Sequence, residues 1–170
     1  MNVQLDSGKF LLDPASTVAI RHKALWGLVT VKGSFGAVGG SGEVLGDGTA
    51  NGTVKVHASS IDTRHGKRDT HLRSPAFFSA DRFPLIQFDV LSASPAERGT
   101  VDVEGRLTIR GVTRPIALSA TITAVEQEAV TLTAEFPVER DRFGMTWNQL
   151  GMLRGPATVS AKLHFTRVAD

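Results

Sequence analysis

The chain has 170 residues, a formal net charge of +2, no Cys and no Tyr, which excludes disulfides, thiolate chemistry and phenol acid chemistry together. Apolar residues make up 41%, enough to fill a core without staples at this length, so one folded domain over residues 1–170 is expected. The sequence pI is about 9.3, yet no tight run of Lys and Arg gives a nucleic-acid footprint.

Met1 to Asp6 lack a basic region followed by an apolar one, so no signal peptide is read and the cytoplasm is the expected location. No stretch approaches the ~20 apolar residues of a membrane span, so stable membrane insertion is not expected. The first strands are expected around Phe10 to Leu12 and Val18 to Ile20. The Gly-rich stretch from Gly39 to Gly46 fits neither a dinucleotide-binding loop nor a P-loop, since Leu45 takes the last Gly position and no Gly-Lys-Ser/Thr follows. It reads as a hairpin loop. Gly46-Asp47-Gly48 and Asn51-Gly52 read as turns.

Alternation with period 2 then dominates. Val54, Val56 and Ala58 alternate with Lys55 and His57. Ile86, Phe88 and Val90 alternate with Gln87 and Asp89. Val101, Val103, Leu107 and Ile109 share one parity. Ile116, Leu118, Ala120 and Ile122 follow, then Leu132, Ala134 and Phe136, then Val159, Ala161, Leu163 and Phe165. Each run has one apolar and one polar face, as antiparallel strands do between a core and water. The expected fold is all-β: an antiparallel barrel of about eight strands, wide enough for one small ligand.

Residues 66–84 break the alternation and are expected to form one or two short helical turns, with Asp69 capping the first. Phe77, Phe78 and Phe83 fall here and need burial at the mouth or flank of the barrel. Asp13-Pro14, Ser16, His22, Gly33 and Phe35, then Ser60 to Thr63, Arg68-Asp69, His71 to Ser74, Phe77-Phe78, Phe83-Pro84 and Phe88 form one set of landmarks. Gly105 to Pro115 and Arg142 to Met145 form two more. In this order they resemble the YceI-like family. The resemblance implies an extended, lipocalin-like barrel, a long-chain isoprenoid or other amphipathic lipid as partner, and a homodimer. Many members of the family are exported, so the periplasm is the alternative location.

The expected ligand contacts are the apolar parity of the strands, Val18, Ile20, Phe35, Ile86, Phe88, Leu107, Ile109, Leu118 and Phe136, with His22 turned inward. Trp26, Phe77, Phe78, Phe143 and Trp147 are the expected mouth or lid. Arg64, Arg68 and Arg73, with Lys67 beside them, are head-group candidates, because guanidinium binds phosphate bidentately; pairing with Asp62, Asp69 and Asp81 is the competing use. The same alternation also fits a filled core.

His57 and His164 fall on polar faces and read as surface residues. No His pair has the HExxH spacing and no GxSxG elbow occurs, so no metal, cofactor or catalytic residue is assigned. Glu139 to Arg142 alternate in sign and read as a solvated or cross-paired edge. The expected function is non-catalytic binding, storage or transport of a long-chain lipid. The alternatives are a lipid-modifying enzyme using the barrel cavity, or a filled-core stress or interaction protein.

Overall fold

The alternating segments fold as strands in the computed structural model, which describes residues 5–169. The chain runs up and down. The strands are β1 (Gly8–Leu12), β2 (Thr17–Ala24), β3 (Val29–Phe35), β4 (Val38–Val44), β5 (Ala50–His57) and β6 (Ile61–Asp62). Helix α1 (Gly66–Arg73) follows, then β7 (Leu85–Pro95), β8 (Thr100–Ile109), β9 (Val112–Glu126), β10 (Ala129–Val138) and β11 (Arg154–Arg167).

Pairing in the order β1-β4-β5-β7-β8-β9-β10-β11, with β11 returning to β1, closes an antiparallel barrel of eight strands. Beyond it, β2, β3 and β6 continue β1, β4 and β5 as broken staves. Long β11 binds β1 through Phe165 to Arg167 and β2 through Arg154 to Lys162. The break between β1 and β2 is made by Asp13, whose carboxylate accepts from the Ala15 amide at 2.8 Å and whose carbonyl accepts from Ser16 at 2.9 Å. This turn hands the chain from one half of β11 to the other.

The connections 25–28, 63–84, 110–111 and 139–153 gather at one end, here called the lidded end. Among the described residues, the links between strands at the far end are the short ones 45–49, 96–99 and 127–128. Arg110 (φ 54°) and Gly111 (φ 72°) join β8 to β9 by a two-residue turn that needs left-handed backbone at both positions. The tip of the β2–β3 hairpin is also left-handed, but at Leu25 (φ 49°) and Trp26 (φ 56°), and so is Leu150 (φ 54°). For residues with a Cβ this costs about 1–3 kcal/mol each.

Two expectations need correction, the Gly-rich stretch and the cap of the lid helix. The Gly-rich stretch is not a loop: residues 38–44 and 50–57 are paired strands, and Gly42 lies opposite Gly52. A Cβ on Gly52 would stand 2.5 Å from the Ser41 carbonyl oxygen, so the glycines let two staves approach closely rather than turn. The lid carries the expected short helix, over residues 66–73. The cap of α1 is His65, whose Nδ1 accepts from the Arg68 amide at 3.2 Å. Asp69 lies inside the helix, buried, and faces the barrel rim.

The core is the barrel interior. Val18, Phe35, Val56, Ile61, Phe78, Leu107, Ile109, Val138, Phe143 and Met145 belong to the larger apolar cluster. Phe10, Val44 and Val130 form a second toward the far end.

Candidate functional site

The alternation leaves most inward positions of the staves apolar, with Ser41, Asn51, Thr53 and Thr133 the polar exceptions on the strands, and the staves are too far apart for those side chains to fill the middle. What remains is a cavity of about 300 Å³, the lower end of the range for small-molecule sites. It runs from Leu5, Glu43, Gly48 and Pro95 at the far end to Phe78, Arg140 and Met145 at the lidded end. Its wall includes Val18, Ile20, Phe35, Ile86, Phe88, Leu107, Ile109, Leu118 and Phe136, the whole expected strand set.

Phe78 closes the lidded end over the wall, edge-on to Phe35 with ring centroids 5.8 Å apart. The other expected lid residues stand off the cavity. Phe77 and Trp147 pack with His71 on the outer side of the lid, the rings of His71 and Trp147 meeting edge-on at 4.5 Å. Phe143 is buried in the core behind the wall. Trp26 lies outside the rim, half exposed.

The lid is held by charge-assisted hydrogen bonds. One Asp69 oxygen accepts from the Thr63 hydroxyl at 2.5 Å and from the Thr63 amide at 2.9 Å. The Thr63 hydroxyl bond, with Arg73 and Arg68 nearby, holds this carboxyl below the ordinary carboxylate range against the opposing effect of burial. Arg68 donates to Thr63 Oγ1 and to its carbonyl at 2.8 and 2.9 Å. Arg73 donates to the carbonyls of Ser59 and Ile61 at 2.9 and 3.2 Å. Two head-group candidates are therefore committed to fastening α1 to β6. Arg64 is exposed on the outer face and Lys67 is exposed on α1.

The cation that does reach the cavity is Arg140. Its Nη1 donates to the carbonyls of Met145 and Trp147, both at 2.7 Å, which fixes the guanidinium at the lidded end of the wall. No carboxylate pairs with it among the described residues. Arg140–Phe143 form a short 3-10 turn, and Glu139, Asp141 and Arg142 are exposed, as a solvated edge would be.

The model of the YceI-like domain matches residues 10–166. The chain belongs to the YceI-like family. Among curated relatives, a protein called YceI from Salmonella arizonae is 40% identical over 67 residues, 39% of this chain and 35% of that protein. A UPF0312 protein from Ectopseudomonas mendocina is 35% identical over 68 residues, 40% of this chain and 36% of that protein. These matches span about a third of the relatives' length.

Solved structures share the fold. BcnA from Burkholderia cenocepacia superposes with a TM-score of 0.80 at 18% identity, over 90% of this chain and 98% of that one. A domain from Saccharophagus degradans, described as polyisoprenoid binding, gives 0.74 at 14% identity over 94% and 98%. The YceI protein of Campylobacter jejuni gives 0.75 at 20% identity over 84% and 88%.

Two histidines of this YceI-like barrel depart from their expected settings. His22 shares the parity of Val18 and Ile20 but does not line the cavity. Its Nδ1 donates to the Lys23 carbonyl at 2.7 Å, which leaves Nε2 buried without a partner among the described residues. His164 is half-buried rather than at the surface, with Nδ1 2.8 Å from the Thr131 hydroxyl. Arg140 and Glu43 are the ionisable cavity residues that alternation misses. Neither sits on an apolar parity, and each reaches the cavity from its end.

Proposed function

We propose that this barrel binds one long-chain amphipathic lipid of the polyisoprenoid type, without chemistry, and holds it for storage or transfer. The observation that carries the reading is the shape and lining of the cavity: it runs from end to end, is predominantly apolar, and among the described residues has ionisable side chains only at its two ends, Glu43 and Arg140. Such a lining suits a linear hydrocarbon with a polar terminus. Two ionisable groups at opposite ends provide no acid–base pair within reach of one bond, so the lining favours binding over turnover. The Saccharophagus degradans domain, described as polyisoprenoid binding, shares the fold and supports the same ligand class.

The energetics allow it. Each buried CH₂ contributes ~0.8 kcal/mol, so about twenty carbons contribute ~16 kcal/mol gross, against an association cost of ~4–15 kcal/mol. Arg140 then sets the orientation, with the head group at the lidded end and the tail running toward Leu5.

The test is native mass spectrometry of the purified protein, followed by organic extraction and titration with isoprenoids of graded length. Stoichiometric uptake of an isoprenoid, intact after release, is expected. Failure of both isoprenoids and fatty acids to bind would overturn the reading.

A further inference from the structure

We propose that the lidded end docks reversibly on an anionic phospholipid bilayer, with Leu25, Trp26, Leu28 and Leu150 entering the interface. Leu28 is 85% and Leu150 79% exposed, and Trp26 is half exposed. They form one patch, because the Trp26 amide donates to the Met152 carbonyl at 3.0 Å and its indole to the Leu150 carbonyl at 3.2 Å. Isolated surface leucines are ordinary, whereas several on adjoining loop tips mark a contact surface. Leu25, Trp26 and Leu150 also occupy left-handed turn positions that suit Gly or Asn. Large apolar side chains kept there, in water, are not explained by the fold.

Charge selects the partner. Residues 21–32, 53–89, 106–115 and 135–157, the connections of the lidded end with the strand portions that enter them, hold 15 of the 19 Lys and Arg but only 7 of the 17 Asp and Glu. That end carries a formal +8, and the rest of the chain −6. Beside the apolar tips, Lys23 and Arg154 are exposed and directly opposite each other in the β2–β11 ladder. Like charges in register are unfavourable until an anion lies between them. Apolar tips ringed by cations match an anionic membrane surface. A second copy using the same face would bring two strongly positive ends together, which opposes it. The inference does not depend on the content of the cavity.

The test is sedimentation of the full chain with vesicles of phosphatidylcholine alone or mixed with phosphatidylglycerol, at low and high salt. Binding to the mixed vesicles is expected at low salt, with strong loss at high salt. Trp147→Phe leaves Trp26 as the only Trp, and its emission should shift to the blue on the mixed vesicles. The pair Leu28→Asp with Leu150→Asp, and the pair Lys23→Glu with Arg154→Glu, should each weaken binding about tenfold or more while thermal unfolding stays as in the parent. Absence of binding, binding indifferent to phosphatidylglycerol, or undiminished binding by both pairs would overturn the proposal. So would concentration-dependent self-association that these substitutions abolish without any vesicle binding.

Discussion

Thr63 gives both its hydroxyl and its amide proton to a single oxygen of Asp69, at 2.5 and 2.9 Å, so one buried carboxylate ties helix α1 to the end of β6. The carboxyl is held below its usual range mainly by the Thr63 hydroxyl, with Arg73 and Arg68 adding to it. A depressed carboxylate contributes stability in full above its unfolded value, near 3.9, and loses it as pH falls through the lower folded value. Protection of residues 66–73 from hydrogen exchange should therefore hold down to about pH 4 and fall below it. Asp69→Asn should lower that protection already at neutral pH, with a loss of about 1–3 kcal/mol in urea unfolding.

Blocking the cavity should separate binding from folding. Ala134 lies on the wall in β10. Ala134→Phe should reduce isoprenoid affinity about tenfold or more, while costing ~1–3 kcal/mol of stability by overpacking. Titration calorimetry beside a thermal melt reads both.

Arg140 should discriminate head groups rather than tails. Arg140→Met keeps an unbranched apolar stem but removes the donors to Met145 and Trp147. Affinity for an isoprenoid phosphate should fall about tenfold or more, consistent with loss of a charge-assisted hydrogen bond. Affinity for the matching alcohol should change much less. Equal loss for both ligands would assign Arg140 to loop structure alone.

Gly111 tests the β8–β9 turn. Its φ is 72°, and a Cβ there would stand 2.7 Å from the Phe83 ring. Gly111→Ala should cost ~1–3 kcal/mol, read by urea unfolding. Adding Phe83→Leu should recover the steric part and leave the backbone part.

The wall was legible because period 2 states which side chains face inward, and one barrel face has no other use for them. All nine expected strand contacts line the cavity. Alternation loses its phase at a bulge. At Leu91 the ladder between β7 and β8 slips, so Ala93 and Pro95 face inward after Val90. The lid was harder to read. An Arg beside a cavity and an Arg bound to backbone carbonyls look alike in sequence, and Arg68 and Arg73 proved to be the second kind. His22 was misplaced for a related reason. Near the lidded end β2 and β3 leave the closed ring, so parity there no longer points to the interior.

The first strand of the barrel hydrogen-bonds to the last, with Phe10 opposite Arg167. No local hairpin can make this seam, so ring closure waits for β11 to be synthesised. Until then the nascent sheet is an open ribbon with two raw edges and its greasy face uncovered, the kind of species that aggregates and folds slowly. The cavity is complete only with β11 seated on β1. A hydrophobic guest lying on the ribbon at that moment would be enclosed as the last strand zips onto the first.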